Sequence, residues 1–145
     1  MKLTSVYFSA TFTTRRVVDY VSRRLSDQVT KYDITNDAST DEVLLAADEV
    51  LVVGIPVYAG RVPVMAVNRI RRFKGKGSRA VAIAVYGNRH YDDALLELSD
   101  ILSENGFQVI SAGAFLAQHS IFPKVGANRP DKDDFLQMDA FADET

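Results

Sequence analysis

A chain of 145 residues, 47% hydrophobic and 25% charged, has the composition of an ordinary soluble globular protein and enough length for one domain to bury a self-sufficient core. Its net charge of −2, from 17 basic and 19 acidic residues, argues against nucleic acid as a partner, because such binders carry a basic excess. The absence of cysteine excludes a disulfide, a cysteine nucleophile and a thiolate-ligated iron–sulfur cluster within these residues, and with no signal peptide and no span of about 20 apolar residues it points to a cytoplasmic protein without a membrane partner.

Strand and helix patterns alternate along the chain. Leu3 to Phe8 is predicted as a strand, and Thr14 to about Asp27 as a helix with Val17, Val18, Val21 and Leu25 on one face. The basic pairs Arg15-Arg16 and Arg23-Arg24 stand at helical spacing and read as its solvated face. Val29 to Ile34 has the pattern of a half-exposed strand. Thr40 or Asp41 is placed to cap a short helix ending near Ala47. Glu49 to Ile55 is a continuous apolar run, as in a central parallel strand covered on both faces. Pro63 to Phe73 is predicted helical, with proline suited to the first turn, and Gly75 to Ser78 is a turn. Arg79 to Val85 reads as another buried strand. Tyr91 to Glu104 reads as a helix ended by Asn105-Gly106, Phe107 to Ala117 as the last strand, and Pro130 to Ala142 as a final helix. Residues 1–145 therefore read as one α/β domain with five parallel strands, and its ligands belong outside the carboxyl ends of those strands.

Three loops lie at such ends. Ser9-Ala10-Thr11-Phe12-Thr13-Thr14 joins a buried strand to a helix start, where free amides, the helix dipole and hydroxyl groups can meet a phosphate. A polar turn with Thr13 as helix N-cap explains the same residues, and both readings stay open at this point. The glycine-rich nucleotide fingerprints are absent, and Gly75-Lys76-Gly77-Ser78 precedes a strand instead of following one. The second loop, Gly54 to Pro63, places Tyr58 beside the small pair Ala59-Gly60. The third, Tyr86 to Tyr91, pairs a glycine turn with an aromatic. Two aromatics converging beside a phosphate site suit a planar ligand with a phosphate tail.

On these motifs the chain resembles flavodoxin-type domains, and most of all the flavodoxin modules that many anaerobes fuse to a bacterial-type ferredoxin module. Ser9 to Thr14 matches the family's phosphate loop, Pro56-Val57-Tyr58-Ala59-Gly60 the loop flanking one flavin face, and Tyr86-Gly87-Asn88-Arg89-His90-Tyr91 the loop that meets the pyrimidine edge. The resemblance implies a three-layer sandwich with strand order 2-1-3-4-5 and helices on both faces, with FMN as cofactor. It implies that Ser9, Thr11, Thr13 and Thr14 hold the phosphate together with the backbone of Ala10 and Phe12. Tyr58 and Tyr91 would sandwich the ring beside Pro56 and Val57. The Ala59-Gly60 peptide would face flavin N5, and main-chain groups around Tyr86, Gly87 and Asn88 would face the pyrimidine. Phe12 stands where the family pattern has glycine.

The expected activity is electron transfer at an exposed flavin edge, with redox proteins (a ferredoxin-type module or a reductase) as partners and no catalytic side chain or metal. The alternatives are a flavin-dependent NAD(P)H:quinone-type reductase and a binding or regulatory module that has lost FMN. Arg61, Arg89 and His90 flank the expected ring, with Asp92 and Asp93 as partial counter-charges, which predicts a milder potential for the second electron than in an acidic flavodoxin. His90 and His119 read as locally bonded loop histidines without a hydrolytic triad. Asp131, Asp133 and Asp134 read as helix-start carboxylates without metal.

Overall fold

The computed structural model describes residues 2–9, 13–36, 39, 41–57, 61–86 and 92–116. Within them β1 (Lys2–Tyr7), β2 (Gln28–Asp33), β4 (Val50–Pro56), β6 (Ser78–Tyr86) and β7 (Phe107–Leu116) form one parallel sheet, in the order β2-β1-β4-β6-β7. Two short strands, β3 (Val43–Leu44) and β5 (Phe73–Lys74), pair with each other outside it. Counted along the chain without that side ladder, the order is the expected 2-1-3-4-5. The chain leaves β1 to one side for β2 and returns on the other for β4. The crevice at their carboxyl ends is therefore the topological switch point.

Apolar side chains fill both faces of this sheet. On one face α1 (Thr13–Leu25) lays Val17, Val18 and Val21 over Leu3, Tyr7, Val52 and Ile83. On the other, α2 (Val64–Ile70) and α3 (Asp92–Glu104) bring Ile70, Leu98 and Leu102 against Val6, Leu51, Val53 and Ile55. The central strand β4 is buried from Val50 to Ile55, as a strand covered on both sides must be, whereas the edge strand β2 is half exposed. Gly54 is what lets α1 approach β4: a Cβ there would lie 2.1 Å from Val18 Cγ2.

The structure corrects two predicted elements. Residues 41–47 do not form a helix. Val43 and Leu44 pair with Phe73 and Lys74, and the Leu45 amide continues the ladder with a 2.8 Å hydrogen bond to the Lys74 carbonyl. Val43 is half-buried, Leu44 exposed and Leu45 buried, so the burial alternates with the period of a strand. The same ladder claims Phe73 and Lys74, so α2 stops at Ile70. At the amino end of β6, the Gly75 and Gly77 amides donate to the carbonyls of Asn105 and Gly106 at 2.9 and 2.8 Å, and the Ser78 hydroxyl donates to the Ala46 carbonyl at 2.7 Å. Gly106 terminates α3 with φ +89°, in the left-handed region. Gly75 to Ser78 is thus a structural tie at the end of the sheet opposite the predicted site. The helix predicted from Pro130 lies outside the described residues.

Candidate cofactor-binding site

The parallel register brings the three predicted loops to one edge. Tyr7 pairs with Gly54, and Pro56 with Val85, so the chain leaves β1, β4 and β6 side by side. The Phe8 amide donates to the Gly54 carbonyl at 3.1 Å, and the Val57 amide donates to the Val85 carbonyl at 3.0 Å. These bonds carry the ladders one residue beyond the strands and fix where each loop starts. Of the predicted site residues, Ser9, Pro56, Val57 and Tyr86 lie at these strand ends, and Thr13 and Thr14 open α1. Ala10, Thr11, Phe12, Tyr58, Ala59, Gly60, Gly87, Asn88 and Tyr91 lie outside the described residues.

Ser9 is committed on two sides. Its amide donates to Thr35 Oγ1 at 2.8 Å, and its own Oγ accepts the Arg15 amide at 3.2 Å. Arg15 stands in the first turn of α1, so Ser9 satisfies one of the amides that a helix start leaves without an intrahelical partner. Thr13, the candidate N-cap, is instead the first helical residue, and Thr14 is buried beneath the turn. The first turn reads Thr13-Thr14-Arg15-Arg16 and contains no acid. Amide and hydroxyl donors at a helix N-terminus, with no carboxylate among them, fit a phosphate dianion.

Arg16, Arg23 and Arg24 are exposed, as the predicted solvated face requires. Arg15 departs from it. Its guanidinium lies 5.7 Å from the Tyr7 ring centroid, with Nε 3.7 Å from Asp19. Burial pushes the Tyr7 phenol above its ordinary pKa, and the Arg15 charge only partly opposes this, so Tyr7 is neutral.

On the second loop the expected cation is redirected. Arg61 donates from Nε to Glu97 Oε1 at 3.0 Å and from Nη2 to Oε2 at 2.8 Å, while the Val62 amide donates to the same Oε1 at 3.0 Å. The Arg61 hydrogen bond is the main reason that Glu97 titrates below the ordinary carboxylate range, with burial opposing it. Arg61 is therefore paired with Glu97 of α3, a counter-charge beyond the Asp92 and Asp93 that the sequence suggested. Arg89, His90 and the Asp92 side chain lie outside the described residues. Glu97 also lines a groove of about 390 Å³ between α2 and α3, on the helical face of the molecule.

Sequence reasoning missed Thr35, Arg69 and Glu97. Arg69 donates from Nη1 to the carbonyls of Ile34 at 2.9 Å and Thr35 at 2.5 Å, and so holds the segment that reaches Ser9. Among the described residues no cluster of histidine and acids could hold a metal ion, and no helix is long and apolar enough to cross a membrane.

No family model and no curated protein matches this sequence. Solved structures do match its backbone. The two-electron reduced flavodoxin of Megasphaera elsdenii superposes with a TM-score of 0.61 at 13% identity, covering 99% of each chain. An NADH:FMN oxidoreductase in its apo form (EmoB) gives 0.69 at 15% identity, over 99% of this chain and 87% of that one. An azoreductase from Bacillus anthracis str. Sterne gives 0.69 at 10% identity, over the full length of both. The fold is flavodoxin-like. At these identities the likeness is one of backbone and does not assign the chemistry.

Proposed function

We propose that this protein binds FMN and carries electrons as a flavodoxin does, exchanging them with redox proteins such as a ferredoxin-type module or a reductase. The observation that carries the reading is the acid-free first turn of α1, opening at the carboxyl end of β1 where the strand order reverses. Beside it, Pro56, Val57 and Tyr86 lead into the two tyrosine-bearing loops. Bound FMN would supply one- or two-electron chemistry at the edge of its ring. The chain would supply binding: Ser9, Thr11, Thr13 and Thr14 for the phosphate, Tyr58 and Tyr91 for the ring faces, Ala59-Gly60 toward N5, and the main chain at Gly87 and Asn88 toward the pyrimidine.

Titration of the purified protein with FMN, followed by quenching of flavin fluorescence, tests this. Saturable binding at one FMN per chain is expected. A protein that leaves the fluorescence unquenched would instead be a binding or regulatory module on this fold, the alternative that Phe12 in the phosphate loop favours. The second reading is a flavin-dependent NAD(P)H:quinone-type reductase, because an NADH:FMN oxidoreductase and an azoreductase share this backbone just as a flavodoxin does. Steady-state turnover of a quinone with NAD(P)H would select that reading over the carrier.

A further inference from the structure

The loop proposed to hold phosphate is braced from outside itself. Beyond β2, the Ile34 amide donates to the Tyr7 carbonyl at 2.9 Å and extends the ladder with β1 by one residue. The Thr35 amide then turns onto Asp33 Oδ1 at 3.0 Å, which leaves the Thr35 hydroxyl in position to accept the Ser9 amide at 2.8 Å. Arg69, reaching over from α2, clamps this turn by donating to both the Ile34 and the Thr35 carbonyls. Three elements thus converge on one amide.

We infer that Thr35 and Arg69 are positioning residues for the anion-binding loop, setting its affinity for the phosphate group of a ligand without touching that ligand. The inference rests on the FMN reading above and adds two residues to it. With its amide on Thr35 and its Oγ on Arg15, Ser9 is held at a fixed distance from the start of α1. Removal of the Thr35 hydroxyl leaves the amide of a residue only 9% exposed without its partner. The cheapest relief is a rotation of Ser9, which also draws its Oγ away from Arg15. The amides at the helix start then converge less well on an anion. The aromatic ring of a flavin would meet the second and third loops instead, which leave β4 and β6 through bonds that involve neither Thr35 nor Arg69.

The consequence is a selective effect. FMN and riboflavin share the ring and differ in the phosphate, so a phosphate-loop brace acts on one and spares the other. Binding of both flavins is measured by fluorescence quenching for the wild type and for Thr35→Val, Thr35→Ser and Arg69→Met. Thr35→Val is expected to weaken FMN about tenfold while riboflavin stays within about twofold. Thr35→Ser keeps the acceptor and should stay near the wild type. Arg69→Met keeps the aliphatic stem, loses the clamp, and should shift FMN in the same direction by a smaller factor.

Amide hydrogen exchange of the ligand-free protein gives a second readout: Ser9 should exchange faster in Thr35→Val. Equal losses for the two flavins would overturn the inference, as would unchanged FMN binding or unchanged Ser9 exchange in Thr35→Val. A wild type that takes up neither flavin overturns the FMN reading itself, a separate outcome decided before any variant is compared.

Discussion

At the scale of single residues, two positions state their own cost. A methyl group at Gly54 would meet Val18 Cγ2 at 2.1 Å, between a buried strand and a buried helix face that have little room to part. Gly54→Ala should therefore destabilise the protein by about 1–3 kcal/mol in urea denaturation, and Val18→Ala in the same chain should recover part of the loss. An unchanged midpoint for the single variant would mean that α1 does not sit on β4 as described. Glu97 gives a pH signature. Its folded-state pKa lies below the ordinary 4.5, chiefly because of Arg61, so its contribution is present above that value and is lost as pH falls through the lowered one. The urea midpoint of the wild type should exceed that of Glu97→Gln by a constant margin at neutral pH, and the margin should shrink below about pH 4.5. A margin that stays the same however far the pH falls below 4.5 would show that the carboxylate charge is not what holds Arg61. Neither Glu97 nor Thr35 carries a signal readable along the chain. Their partners stand 35 or 36 and 26 residues away, and a local pattern cannot report contacts across that separation.

At the scale of elements, legibility followed burial. The inner strands β1, β4 and β6 were visible because burial on both faces demands unbroken apolar runs, as in Val50 to Ile55, and α1 because one face is buried and the other charged. The site loops were visible for a related reason: an apolar run that ends in glycine, proline or hydroxyl residues marks a strand's carboxyl end. The β3–β5 ladder was invisible because strands of two residues have no period to detect. That ladder is nonetheless anchored in the core. Phe73 is fully buried, its ring 5.2 Å from that of Tyr32 in an edge-to-face arrangement at 79°. Phe73→Ala should cost about 3–5 kcal/mol by urea denaturation, and Phe73→Leu much less because most of the volume is kept. A loss below about 1 kcal/mol for the alanine variant would show that this region is not continuous with the core.

At the scale of the whole molecule, the two apolar clusters lie on opposite faces of one sheet and share its strands. β4 gives Val52 to the α1 side and Val53 to the α2–α3 side, and β6 gives Ile83 and Ala82 in the same alternation. Neither face can come apart while the other keeps those strands paired, because opening the ladder exposes both. The slowest-exchanging amides of α1 and α3 should therefore report one common free energy of opening, the mark of a cooperative unit. A ligand at the carboxyl edge adds a second test, since its proposed contacts fall at Ser9, Thr11, the first turn of α1 and the residues ahead of α2 and α3, and none of them is Leu98 or Leu102. With free FMN at one hundred times its dissociation constant, the global opening energy should rise by about 2.7 kcal/mol. Under cooperative coupling the increase appears equally in α3, including Leu98 and Leu102, which lie on the opposite face from α1. Slower exchange confined to α1 would mean that the sheet does not transmit the stabilisation and that the two faces open separately.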